Sequence, residues 1–293
     1  MTEREQEALH LCNLGLQQMW RGDAENAIVL YDRAGIAAET EETQELITIR
    51  KAEASIALGR DGAEVAALPA IVMRRRTPRH VYLAANTLQR HLCESDQRPR
   101  AIFYGGIARR AAAELGDAIA RISVLNHLGV TLVADSQFRP AIDAFEEALA
   151  LIPQMSEGEQ RRSLHAALLA NLGGAKVLCG EAAQGVPMLE LALPELEEDY
   201  DRAEAFLDLC FGQMELGDNE AAEHFGRAAL QLASIPRQVR NAHHLLGEIC
   251  VRTGRYDEAD SLFDVVASFY PEFRNVKQLL VAVDLCSVVN WKA

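Results

Sequence analysis

A chain of 293 residues that is 49% apolar, 25% charged and carries a net charge of −14 is too apolar for a disordered segment and too acidic for a general nucleic-acid coat. Its first residues, MTEREQEA, lack the apolar core of a secretory signal, and no uninterrupted apolar run approaches the ~18 residues of a membrane span. Six cysteines lie at least 31 residues apart with no Cys-x-x-Cys or Cys/His zinc spacing, so buried thiols in a reducing cytoplasm are expected, with no metal or other cofactor.

Ala, Leu, Glu and Arg dominate over Val and Ile, a balance that favours helix. Taken in chain order, apolar periodicity predicts helices over 3–21 and 24–38, 42–58 and 61–73, 78–94 and 98–114, and 117–134 and 138–151. It continues over 157–179 and 182–196, 199–215 and 218–233, and 236–253 and 256–269. A last helix is predicted over 272–290. Turn signals separate them, among them Arg21-Gly22-Asp23, Gly217-Asp218 and Thr253-Gly254-Arg255, and Thr77-Pro78 is a cap followed by proline in the first helical turn. Pro187 either delays its helix or kinks it.

Four of these pairs repeat one arrangement. From Gly129, Ala141 follows at +12, Phe145 at +16, Ala148 at +19 and Pro153 at +24. From Gly247 the same offsets give Ala259, Phe263, Val266 and Pro271. From Gly15 they give Ala27, Tyr31, Ala34 and Glu39, and from Gly173 they give Gly185, Leu189, Ala192 and Glu197. A leucine precedes every one of these glycines. The physical need is close packing of two antiparallel helices: glycine removes a Cβ, small residues receive the partner helix, and a ring or leucine occupies the space between.

This arrangement resembles the tetratricopeptide repeat, strongly over 122–155 and 240–273 and more loosely over 8–41 and 166–199. The opening large residue is Leu11, Leu125, Leu169 or His243, never Trp, and the aromatic after Leu-Gly is absent. The resemblance implies an all-α fold: a right-handed superhelical solenoid of about seven antiparallel helix pairs plus a C-terminal capping helix. One array over 1–293 is expected, with pairs at 3–38, 42–73, 78–114, 117–151, 157–196, 199–233 and 236–269. Helix 272–290 either seals the last face or forms half of an interface between copies.

In the family, ligand peptides lie in the concave trough formed by the first helix of each pair. The positions of this chain that match are Asn13 and Trp20, Arg50, Asn86 and Arg90, Asn126 and His127, Asn171, and Asn241 and His244. In the sixth pair they are Phe206, Cys210 and Gln213. The cations with which the family's chaperone-tail clamps hold a carboxylate are missing, since Asn126, Ala167 and Phe206 or Leu207 stand there. The recurring asparagine is a mediocre helix former. It either bonds across to the neighbouring helix or offers an amide that donates to and accepts from an extended peptide backbone.

Charge is uneven. Residues 74–110 hold nine arginines and two acids, whereas the rest holds 20 bases and 41 acids. Arg74, Arg75, Arg76, Arg79, Arg98 and Arg100 are candidates for a basic band that docks an acidic or phosphorylated segment, or they pair with the chain's own carboxylates. No phosphate-binding loop, zinc-protease helix or nucleophile elbow occurs. An enzyme is therefore not expected. The function expected is a cytoplasmic protein–protein interaction scaffold that binds a peptide or protein segment, acidic if the band is used. The alternatives are a regulatory peptide sensor, or an assembly component that forms homo-oligomers through the C-terminal helix. Neither nucleic acid nor membrane is an expected partner.

Overall fold

The computed structural model describes residues 1–273, 275–283 and 290–292, and all the regular structure in them is helical. In chain order the helices are α1 (Glu3–Trp20), α2 (Ala24–Ala37), α3 (Glu41–Ala57), α4 (Ala63–Arg74), α5 (Pro78–Glu94), α6 (Arg98–Leu115), α7 (Ala118–Ala134) and α8 (Phe138–Leu151). They continue with α9 (Glu159–Leu178), α10 (Ala182–Ala192), α11 (Asp199–Leu216), α12 (Asn219–Leu232), α13 (Pro236–Arg252), α14 (Tyr256–Ser268) and α15 (Val276–Ala282). The fold is an all-α repeat of antiparallel helix pairs. The last helix is shorter than the predicted 272–290, and residues 274 and 284–289 of that stretch lie outside the described residues. Leu280 of α15 is buried against α14, while Leu279 and Val281 are exposed.

Local chemistry sets the helix limits. Thr2, Asp23, Thr40, Thr77 and Asp218 each accept a bond from a backbone N–H two to three residues inside their helix, and Pro78 follows its cap at the first helical position. The hairpin turns demand a left-handed residue. Gly22 and Gly254 supply it at φ 77° and 76°, and Ser136 takes the same role between α7 and α8 at φ 60°. Pro187 lies inside α10, which begins before it at Ala182, so a late helix start is ruled out.

The repeated glycine–aromatic spacing is the packing code of the hairpins. A Cβ on Gly15 would overlap the ring of Tyr31, one on Gly129 the ring of Phe145, and one on Gly247 the ring of Phe263. At Gly173 it would lie 2.9 Å from both the Gly185 carbonyl oxygen and Leu189 Cγ. Tyr31, Phe145, Leu189 and Phe263 are fully buried, and so are Ala27, Ala34, Ala141 and Ala148 around them. Each ring therefore sits where the first helix has no side chain, and the second helix approaches more closely than two larger residues would allow.

The chain divides into two compact units, Met1–Leu128 and Gly129–Ala293, with the boundary inside α7. In the first unit α3 packs on α1 and α5 on α3, so first helices lie side by side, while α2, α4 and α6 form the second layer. Glu5 ties the first hairpin to the second. Its buried carboxylate accepts from Glu39 N at 2.7 Å, Thr40 Oγ1 at 2.6 Å and Thr43 Oγ1 at 2.5 Å. The threonine hydroxyls and the Glu39 amide hold its pKa down to about 2. In the second unit α11 packs on α9 and α13 on α11, with α10, α12 and α14 behind them. Its core runs from Ala166 to Ile249 and takes in Trp291. Cys12, Cys210 and Cys250 are buried free thiols and Cys93 and Cys179 are half-buried; Cys286 lies outside the described residues. Among the described residues no helix is long and apolar enough to cross a membrane, and no group of three His, Cys, Asp or Glu could hold a metal ion.

Candidate functional site

On the first unit, the surface of the first helices is a short polar network. Arg50 Nη1 lies 2.7 Å from Glu53 Oε2 on α3, and Thr87 of α5 donates to the other Glu53 oxygen at 3.2 Å. At the neighbouring position of α5, His127 Nδ1 lies 3.1 Å from the Asn86 side-chain carbonyl oxygen, so α5 and α7 are joined by an imidazole N–H donated to an amide. Burial, helped by the nearby Arg90 guanidinium, pushes the His127 pKa down to about 4, so the ring is neutral at physiological pH. Arg79, Asn86 and Arg90 are seven and four positions apart and share one stripe of α5. Arg79 and Arg90 are exposed and have no ion-pair partner among the described residues. Asn13 is exposed on α1, Asn126 is half-buried and engaged, and Trp20 stands 76% exposed at the end of α1.

The rest of the basic segment is turned onto the protein itself. Arg74 and Arg76 converge on the buried Glu45 of α3, at 3.0 Å and 3.3 Å, and Glu45 is also 3.3 Å from His80 Nδ1. Arg76 reaches Glu41 as well. Arg75 pairs with Glu114 at 3.7 Å, Arg98 with Asp96 at 2.7 Å, and Arg100 donates to Gln97. These six positions therefore do not form one continuous basic band. Four of them neutralise local carboxylates, one donates to a neighbouring amide, and Arg79 stands apart on α5.

On the second unit, Asn241 and His244 of α13 come together at a cavity of about 410 Å³, lined also by Arg240, Tyr270, Asn290 and Trp291. Asn241 is buried; its carbonyl oxygen accepts from Arg240 Nε at 3.0 Å, and its amide nitrogen has no partner. His244 Nε2 is 3.6 Å from the buried Glu248. Asn171 of α9 is half-buried and engaged. Next to this cavity lies a constellation that sequence reasoning missed. Glu204 of α11 accepts from Arg237 Nη2 at 2.8 Å and from Gln238 Nε2 at 2.9 Å, both on α13. Burial raises the Glu204 carboxyl, but Lys292 and Arg237 outweigh it and leave the group below its ordinary value. Asp208, one turn on, is 3% exposed and bonded to Lys292 Nζ at 2.6 Å, and burial pushes its pKa up to about 6 even with that ammonium present.

The face expected for α11 is thereby corrected. Cys210 is fully buried and points at Gly226 of α12, so the line of residues on the first-helix surface is Glu204, Asp208 and Phe211 and not Phe206, Cys210 and Gln213. The available signal was the lone acid in Ala205–Met214, AFLDLCFGQM, set against a glycine on the preceding first helix. A Cβ at Gly174 would overlap the Asp208 carboxylate.

No family model matches the chain, and no curated protein does. Solved structures do. NprR in complex with its cognate peptide NprX superposes with a TM-score of 0.70 at 13% identity, over 95% of this chain and 82% of that one. The apo form of the quorum sensor NprR from B. thuringiensis gives 0.72 at 14% identity, over 94% and 81%. A tetratricopeptide repeat protein from Parabacteroides merdae gives 0.58 at 12% identity, over 94% and 98%. Identities this low speak for the backbone and not for the site. The Leu-Gly hairpins, the buried rings opposite their glycines and these superpositions together give the chain the fold of the tetratricopeptide-repeat proteins.

Proposed function

We propose that this chain holds a peptide or protein segment along its first helices, and that the first unit takes a segment with an acidic side chain. The observation that carries the reading is the α5 stripe. Asn86 has an amide fixed by His127, and Arg79 and Arg90 flank it without carboxylate partners. Asn86 Nδ2, with Asn13 on the same layer, would donate to the carbonyls of an extended backbone, and either guanidinium would take a carboxylate in a two-pronged bond. NprR, which shares the fold, is solved with its cognate peptide, which supports peptide binding as the general class of work. Its description as a quorum sensor supports a regulatory sensor alongside a passive scaffold, and a change in solution scattering on peptide binding would separate the two. A cytoplasmic, non-enzymatic role is part of the same proposal.

The test is a binding screen of the full chain against end-blocked octapeptides in acidic and neutral sets, followed by anisotropy with the best binder. Acidic peptides are expected to lead. Arg79→Ala with Arg90→Ala should weaken them by about tenfold or more, the loss expected for charge-assisted bonds. Arg98→Ala, whose charge is already paired with Asp96, should change binding little. Equal binding to the double variant and the wild type would overturn the assignment.

A further inference from the structure

The most fully built polar site outside that surface lies on the first helices of the second unit, and residues 290–292 of the chain occupy it. Lys292 Nζ is bonded to Asp208 at 2.6 Å and lies 3.9 Å from Glu204. Trp291 is 4% exposed, its ring edge-on to Phe211 with centroids 5.9 Å apart. Its carbonyl oxygen accepts from Arg240 Nη2 at 3.4 Å, and Asn290 Nδ2 donates to the Val133 carbonyl at 2.7 Å. One ring, one ammonium, one backbone carbonyl and one amide are held at once, which is how an extended peptide is bound.

The arrangement is built for a cation delivered from outside the helices. A buried carboxylate is costly unless it is paired. Arg237, the helix cation whose charge acts on Asp208, is bonded to Glu204 and not to Asp208. Gly174 nevertheless clears the space that Asp208 needs. The occupant does not use everything on offer. The second Asp208 oxygen and the Asn241 amide nitrogen are buried without a hydrogen-bond partner, and so is the occupant's own Trp291 indole N–H, so a better-fitting segment has bonds to gain.

We propose that the first-helix surface of the second unit is a receptor for a segment carrying an aromatic residue followed by lysine, that residues 290–292 fill it as an intramolecular ligand, and that an incoming segment of this type binds by displacing them. The ligand class is opposite in charge to that proposed for the first unit, and the inference stands whether or not that reading does.

The test uses the full chain and, as probe, a fluorescein-labelled, C-terminally amidated Asn-Trp-Lys-Ala peptide. Trp291→Ser with Lys292→Ser empties the site. The probe is expected to bind the emptied chain at least about tenfold more tightly than the wild type, and Asp208→Asn in the emptied chain should cost about tenfold or more. Equal affinity for wild type and emptied chain, no binding to the emptied chain, or indifference to Asp208→Asn would each overturn the proposal. A second readout leaves residues 290–292 in place. The chain has two tryptophans, so Trp20→Phe leaves Trp291 alone. Its fluorescence should resist acrylamide quenching, and adding Asp208→Asn should expose it. Quenching like that of free tryptophan in the Trp20→Phe chain would refute docking.

Discussion

Phe145→Ala is expected to cost about 3–5 kcal/mol of stability, and Gly129→Ala about 1–3 kcal/mol, while the two together cost less than their sum. The ring of Phe145 is fully buried and lies where a Cβ on Gly129 would have to go. Helix propensity alone gives the opposite sign for the glycine, because alanine is favoured over glycine inside a helix by about 1 kcal/mol. Overlap wins because the ring is fully buried and its atoms lie within 3.0 Å of where that Cβ would stand, so the close-packed surroundings would have to shift. Once the ring is removed, the alanine methyl occupies part of the cavity, so the double variant should recover about 1 kcal/mol or more. Urea unfolding of the four chains reads this cycle. Additive costs would mean that Gly129 and Phe145 do not share the contact and that the close approach of α7 and α8 does not depend on the missing Cβ.

Glu45→Ala is expected to destabilise the first unit by about 1.5–3 kcal/mol. Glu45 is buried on α3 and gathers Arg74, Arg76 and His80 from the end of α4, the following loop and the start of α5. Burial raises its carboxyl, and the bonds to Arg74 and His80 with the charge of Arg76 more than reverse this, leaving it below its ordinary value. The cost stays under the full penalty for breaking a buried pair, because Arg74 is mostly exposed and Arg76 about a third exposed, so water takes them back. Urea unfolding of the variant measures it. A change below about 0.5 kcal/mol, the range of an ordinary surface substitution, would mean that these arginines are free for a ligand after all.

The helices and their pairing were legible because the signal is local and redundant. Gly129, Ala141, Phe145 and Ala148 each report the same contact, and Gly22 and Gly254 mark the turns. Ser136 shows that a non-glycine can hold the same left-handed turn when the helices on either side fix it. The candidate sites were less legible for two reasons. Charge counting along 74–110 cannot see that Glu45, Glu114 and Asp96 fold back onto Arg74, Arg75, Arg76 and Arg98. Helical periodicity places a stripe only to within a residue or two, and on α11 that error put Cys210, which packs toward α12, in the place of Asp208, which meets Lys292. The partner of Asp208, Lys292, lies 84 positions away, beyond any local pattern.

The ligand position proposed above is the first helix of each pair. It is tested most directly by hydrogen exchange of the full chain, with and without the strongest-binding acidic octapeptide. Added protection is expected in α1, α3 and α5, strongest around Asn86, with α2, α4 and α6 unchanged. Protection confined to the second helices, or none in α5 at saturating peptide, would contradict it.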